Sequence, residues 1–112
     1  MSGITTHVLD TSAGRPAAGV PVELAAAEGE GWIPVSRTTT DDDGRAILAA
    51  EGEIESAGRY RVRFDVEGYL AGRTPEAFYP SVDVVFNVSD PSQHHHVPLL
   101  ISPFGYTTYR GS

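Results

Sequence analysis

Hydrophobic and polar residues alternate with a period of two along most of the chain, which marks strands with one buried face. The clearest case is Tyr60, Val62, Phe64 and Val66, interleaved with Arg61, Arg63 and Asp65. Val82, Val84, Phe86 and Val88 repeat the pattern, and Val20, Val22 and Leu24 give a shorter version. Pro21 in that last run places it at a sheet edge or makes it the opening of a strand. Ile4 to Asp10 reads as a strand with apolar residues on both faces: Ile4, Thr6 and Val8 on one, Thr5, His7 and Leu9 on the other. Trp32 to Thr40 and Arg45 to Leu48 complete the central strands, with Trp32 and Val35 expected to pack.

Turn residues separate these runs. Gly14, Pro16 and Gly19 make 11–19 a loop, the small residues of Ala25 to Gly31 predict a turn, and Asp41-Asp42-Asp43-Gly44 predicts another. Glu51 to Gly58 is acidic and loop-like, and Glu67 to Arg73 suits one or two helical turns before Pro75. Near the end, Val97, Leu99 and Ile101 form an apolar face and leave His96 on the opposite one. A turn at Ser102-Pro103-Phe104-Gly105 leads into a second extended arm. About eight short strands and one brief helix predict an all-β antiparallel sandwich, and 112 residues predict a single domain spanning 1–112.

Composition narrows the function. The formal charge is −7, from 15 acidic and 8 basic residues, so the basic face that phosphate backbones require is missing and nucleic acid is not an expected partner. Every basic residue is arginine, which excludes lysine Schiff-base chemistry. Cysteine is absent too, removing thiol catalysis, thiolate metal sites and disulfides. No run of about 18 apolar residues is present to span a membrane, and the first residues lack the features of a secretory signal. A cytoplasmic protein without a membrane partner is the expectation.

Histidines are few: His7 and the triplet His94-His95-His96. Imidazole exchanges protons near neutrality, so these are the first candidates for acid–base work. Read from the residues alone, the triplet could equally be a solvated strand mouth, and His7 a surface or structural histidine. His94, His96 and His7 could also form the three-imidazole set of a zinc hydrolase. Asp41 to Asp43 lacks the spaced oxygens of an EF-hand calcium loop and reads as a solvated turn.

Three blocks in order, with a terminal tetrapeptide, carry a resemblance. Thr6-His7-Val8-Leu9-Asp10, Asp41-Asp42-Asp43-Gly44-Arg45, His96-Val97-Pro98-Leu99-Leu100 and the final Tyr109-Arg110-Gly111-Ser112 together resemble the 5-hydroxyisourate hydrolases, the transthyretin-related enzymes of urate breakdown. The likeness runs from about Ile4 to Ser112. It implies a transthyretin-like sandwich, assembled as a homotetramer (a dimer of dimers) with sites at the subunit interface. It also implies cofactor-free, metal-free hydrolysis of 5-hydroxyisourate to 2-oxo-4-hydroxy-4-carboxy-5-ureidoimidazoline. By that resemblance His7, Arg45, His96 and Ser112 are catalytic, and the same four with Tyr109 bind substrate. His95 departs from the family's usual tyrosine, which leaves the roles of His94 and His95 open. Arg110, pointing away from Tyr109, is expected to make an outer ion pair. The rival to an enzyme on this fold is a transthyretin-like carrier of a small aromatic ligand.

Overall fold

A computed structural model describes residues 2–73 and 77–112. Two sheets pack face to face. The first is built around β1 (Gly3–Asp10), and the second contains β3 (Pro21–Glu28), β4 (Gly31–Thr39), β6 (Gly58–Phe64) and β7 (Val82–Val88) in the order β4-β3-β6-β7. β1 is flanked on one side by the two-residue β2 (Arg15–Pro16) and by β5 (Arg45–Ala49). On its other side lie β8 (His94–His96) and β9 (Leu99–Ser102), and β10 (Gly105–Thr108) pairs with β9. The one helix, α1 (Glu67–Ala71), follows β6; the Pro75 expected to end it lies outside the described residues.

The alternations sort as periodicity requires. Tyr60, Val62, Phe64 and Val66 are buried, as are Val20, Val22, Leu24, Val82, Val84, Val88, Val97, Leu99 and Ile101. Along β1 the ambiguous choice resolves toward Ile4, Thr6 and Val8, which face the core and leave Thr5, His7 and Leu9 half-buried on the outer side. Pro21 opens β3, where its missing N–H costs no ladder bond.

Four expectations need correcting. Ala25 to Gly31 is not all turn: β3 continues to Glu28, with Ala25, Ala26 and Ala27 paired to Pro34, Ile33 and Trp32 across a register shift, and only Gly29-Glu30 turn the chain. Small residues fit there because Ala25 lies in the core between the sheets. The 11–19 loop contains β2. Val35 is exposed, because β4 is an edge strand; Trp32 is half-buried with the Arg61 guanidinium 4.8 Å from its ring centre. The sandwich is also not wholly antiparallel, since β1 runs parallel to β8 and β9. Those two strands keep one register against β1 (Thr5 opposite His96, Val8 opposite Leu99) and are separated where Pro98 has no N–H to donate.

The end of β1 is anchored by a buried carboxylate. Asp10 is 3% exposed and accepts hydrogen bonds from Tyr69 Oη at 2.6 Å, Ser12 Oγ at 2.8 Å, and the main-chain N–H groups of Ser12 and Ala13 at 3.0 Å. Burial pushes its pKa up, but these bonds together outweigh that, and the group sits below its ordinary 3.8. Its contribution to stability is therefore present above pH 3.8 and is lost as pH falls through the lower folded value. Tyr69→Phe removes one charge-assisted bond and should cost about 1.5–3 kcal/mol, read as a lower urea midpoint with unchanged slope; an unchanged midpoint would deny Asp10 this anchoring role.

Candidate active site

The outer face of β1 and its neighbours forms a depression of about 610 Å³, lined in part by Thr5, Thr38, Arg45, Ile47, His94, His96 and Ser112. Register explains why these residues meet. Thr5 and His7 share one face of β1; Arg45 stands opposite His7, Ile47 opposite Thr5, and His96 opposite Thr5 from the parallel side. Residues 5, 45 and 96 are thus brought together by strand pairing alone.

The turn before Arg45 is braced from within. Asp41 Oδ1 accepts from the N–H groups of Asp43 and Arg45, both at 2.9 Å, and Gly44 has a positive φ of 76°. A side chain on Gly44 would run into the Val8 carbonyl, so the turn closes against β1 only with glycine there. The same turn presents the Asp43 carbonyl to His7, whose Nε2 donates to it at 2.8 Å. The acidic triplet is turn scaffolding.

His96 is held from three directions. Its Nδ1 lies 2.8 Å from Thr5 Oγ1, and its carbonyl accepts from Gly111 N–H at 2.8 Å. Gly111 forms an isolated antiparallel bridge with it, and a Cβ at 111 would collide with the imidazole ring. That contact places Ser112 beside the pocket. His96 Nε2 has no hydrogen-bond partner among the described residues. Burial lowers the His96 pKa below 6.5, and the charges of His94, His7 and Arg45 lower it further, against a main-chain hydrogen bond at Thr5 that raises it. At neutral pH the ring is therefore held mainly in its uncharged form.

Of the five expected site residues, the pocket wall gathers Arg45, His96 and Ser112, and His7 adjoins it through its pairing with Arg45. Tyr109 is not brought there: it is 56% exposed and lines a separate cavity of about 150 Å³ with Phe86, His95, Val97 and Arg110. Nor does Arg110 make an ion pair among the described residues; its Nη2 reaches Gln93 Oε1 and the His94 carbonyl at 3.4 Å. His95 points inward at 6% exposure, its ring centre 6.3 Å from that of Phe86. Thr5, which connects His94 to His96, carries no sequence signal beyond sharing a face with His7. Among the described residues no cluster of three or more His, Cys, Asp or Glu side chains is disposed to hold a metal. His94 Nε2 and His96 Nδ1 converge instead on one hydroxyl. No helix among the described residues is long and apolar enough to cross a membrane.

A β-sandwich carrying imidazoles, a guanidinium and a hydroxyl on one sheet face defines a class of small transthyretin-like proteins with a polar site. The sequence matches the HIUase/Transthyretin family over residues 4–111, and the chain belongs to that family. The 5-hydroxyisourate hydrolase of Caulobacter vibrioides is 48% identical over 116 residues, covering all of both chains. Among solved structures, Klebsiella pneumoniae 5-hydroxyisourate hydrolase superposes with a TM-score of 0.84 at 35% identity over 100% of both chains. (S)-Allantoin synthase gives 0.86 at 33% identity over 99% of this chain, which spans 44% of the synthase.

Proposed function

We propose that this protein hydrolyses 5-hydroxyisourate, opening its six-membered ring at an amide to give 2-oxo-4-hydroxy-4-carboxy-5-ureidoimidazoline. The observation that carries the reading is the convergence of Arg45, His96 and Ser112, beside His7, on one depression; full-length likeness to named 5-hydroxyisourate hydrolases supports it. Amide hydrolysis needs a proton taken from water, a stabilised oxyanion and a proton given to the departing nitrogen. His7 and His96 move the protons. Arg45, a planar fork of donors, holds the substrate's oxygens and the developing negative charge. Ser112 orients water or substrate. A wall of threonines, imidazoles and guanidinium suits a polar oxo-purine derivative better than an aromatic hormone. The direct test is carbon-13 NMR of labelled 5-hydroxyisourate mixed with the protein. The ring-opened product should form faster than in buffer; equal rates would contradict the activity. His7→Ala should lower turnover by about 10²–10⁴-fold, measured by steady-state kinetics.

The pH dependence follows from His96 acting uncharged. Its pKa lies below 6.5, so the acid limb of kcat/KM should be centred below 6.5. An acid limb centred above 6.5 would contradict a depressed His96.

The same reading includes assembly as a homotetramer with neighbouring copies completing the site. In support, Ile47 is 69% exposed on the pocket wall, an apolar side chain that gains by being covered. Tyr109 would then contribute through assembly. A cytoplasmic location completes the proposal, in keeping with a domain that draws no stability from disulfides.

A further inference from the structure

Thr5 and His94 have no part in the proton transfers assigned above, yet together they fix what His96 can do. Thr5 Oγ1 lies 2.9 Å from His94 Nε2 and 2.8 Å from His96 Nδ1, spanning the two outward-facing imidazoles of β8 from the adjacent strand. At its far side His94 Nδ1 lies 3.2 Å from the Ser2 carbonyl. A carbonyl oxygen only accepts, so Nδ1 of His94 must carry the hydrogen. In neutral His94 the Nε2 is then bare and can only accept. Thr5 has one hydrogen to give, and the bare nitrogen takes it. The hydroxyl is left to accept from His96, which must therefore carry its hydrogen on Nδ1.

We propose that the chain Ser2 carbonyl–His94–Thr5 sets the tautomer of His96, holding its Nδ1 protonated so that the lone pair on Nε2 is presented to the pocket as the general base. Thr5 and His94 are positioning residues. Resting on the hydrolase reading, this assigns the base that His7 and His96 otherwise share. The proton balance starts on one nitrogen: His96 Nε2 takes a proton from water as oxygen bonds to the amide carbon. The imidazolium keeps its Nδ1–H on Thr5, and the Nε2 proton passes through Nδ1 of His7 to the departing nitrogen as the carbon–nitrogen bond breaks. His7 is constrained differently. Its Nε2–H is committed to the Asp43 carbonyl, and it makes no contact with the Thr5 chain among the described residues.

The first readout needs no substrate. Long-range proton–nitrogen NMR of the intact protein, labelled with nitrogen-15 histidine and held at mildly alkaline pH, reads each ring's tautomer. His94 and His96 should both show a protonated Nδ1 and a bare Nε2, although free histidine favours a protonated Nε2. In Thr5→Val, isosteric and checked for folding by thermal melting, His96 should shift toward the free-histidine tautomer. Its kcat should fall about tenfold with KM little changed, and Thr5→Ser should restore both tautomer and kcat. A wild-type His96 protonated on Nε2 would overturn the relay even if the protein hydrolyses 5-hydroxyisourate. So would a Thr5→Val protein whose His96 is unaltered. The predicted tautomers in a protein without hydrolase activity would uphold the relay and overturn the hydrolase reading.

Discussion

His96→Ala should lower kcat for 5-hydroxyisourate by about 10²–10⁴-fold, the usual worth of a positioned acid–base group, while the protein stays folded. Two features drive the expectation. Its pKa lies below that of a free imidazole, so the ring is mainly neutral at physiological pH, and among the described residues its Nε2 is the nitrogen left without a partner. The fold should survive because the backbone tie from Gly111 N–H to the residue-96 carbonyl needs no imidazole. Steady-state kinetics with thermal melting separates the two effects. Near-native turnover would remove His96 from the proton path, and a collapsed melting temperature would make its role structural.

The second large effect should come from the end of the chain. Deleting Gly111 and Ser112 removes the pocket hydroxyl, the bond to the His96 carbonyl and the surface against which the His96 ring packs. A misplacement of about 1 Å at a reacting group can cost about 10²-fold, so activity should fall at least that far while the sandwich melts close to wild type. Two single substitutions divide the loss. Gly111→Ala keeps the hydroxyl but drives a methyl group into the ring, so it should mimic much of the deletion. Ser112→Ala keeps the ring seat and reports the hydroxyl alone. A fully active Gly111→Ala protein would contradict the ring-seating role.

Much of this was legible in the amino-acid order, because period-two alternation reports burial directly. Tyr60 to Val66 and Val82 to Val88 needed nothing more. Where alternation was ambiguous, as from Ile4 to Asp10, only the packing of the opposite sheet decided the inward face. Alanines 25–27 misled because small residues resemble a turn, whereas here they sit where strands and sheets approach closely. Val35 misled for the opposite reason: a β-branched residue on an edge strand needs no burial. Within the site, His7, Arg45, His96 and Ser112 stood out through motifs. Thr5 did not, because its importance comes from a parallel register joining segments about ninety residues apart. Such a register leaves no local trace. The histidine triplet also split two ways that composition could not reveal, with His95 turned into the core and its two neighbours outward.

The most direct check on the central claim is the ultraviolet decay of 5-hydroxyisourate, generated freshly by urate oxidase, with the wild-type protein or His96→Ala added. The wild type should accelerate the decay well beyond the rate in buffer, and His96→Ala at equal concentration should leave it close to that rate. Decay at the buffer rate with the folded wild-type protein, or equal acceleration by both proteins, would contradict the claim.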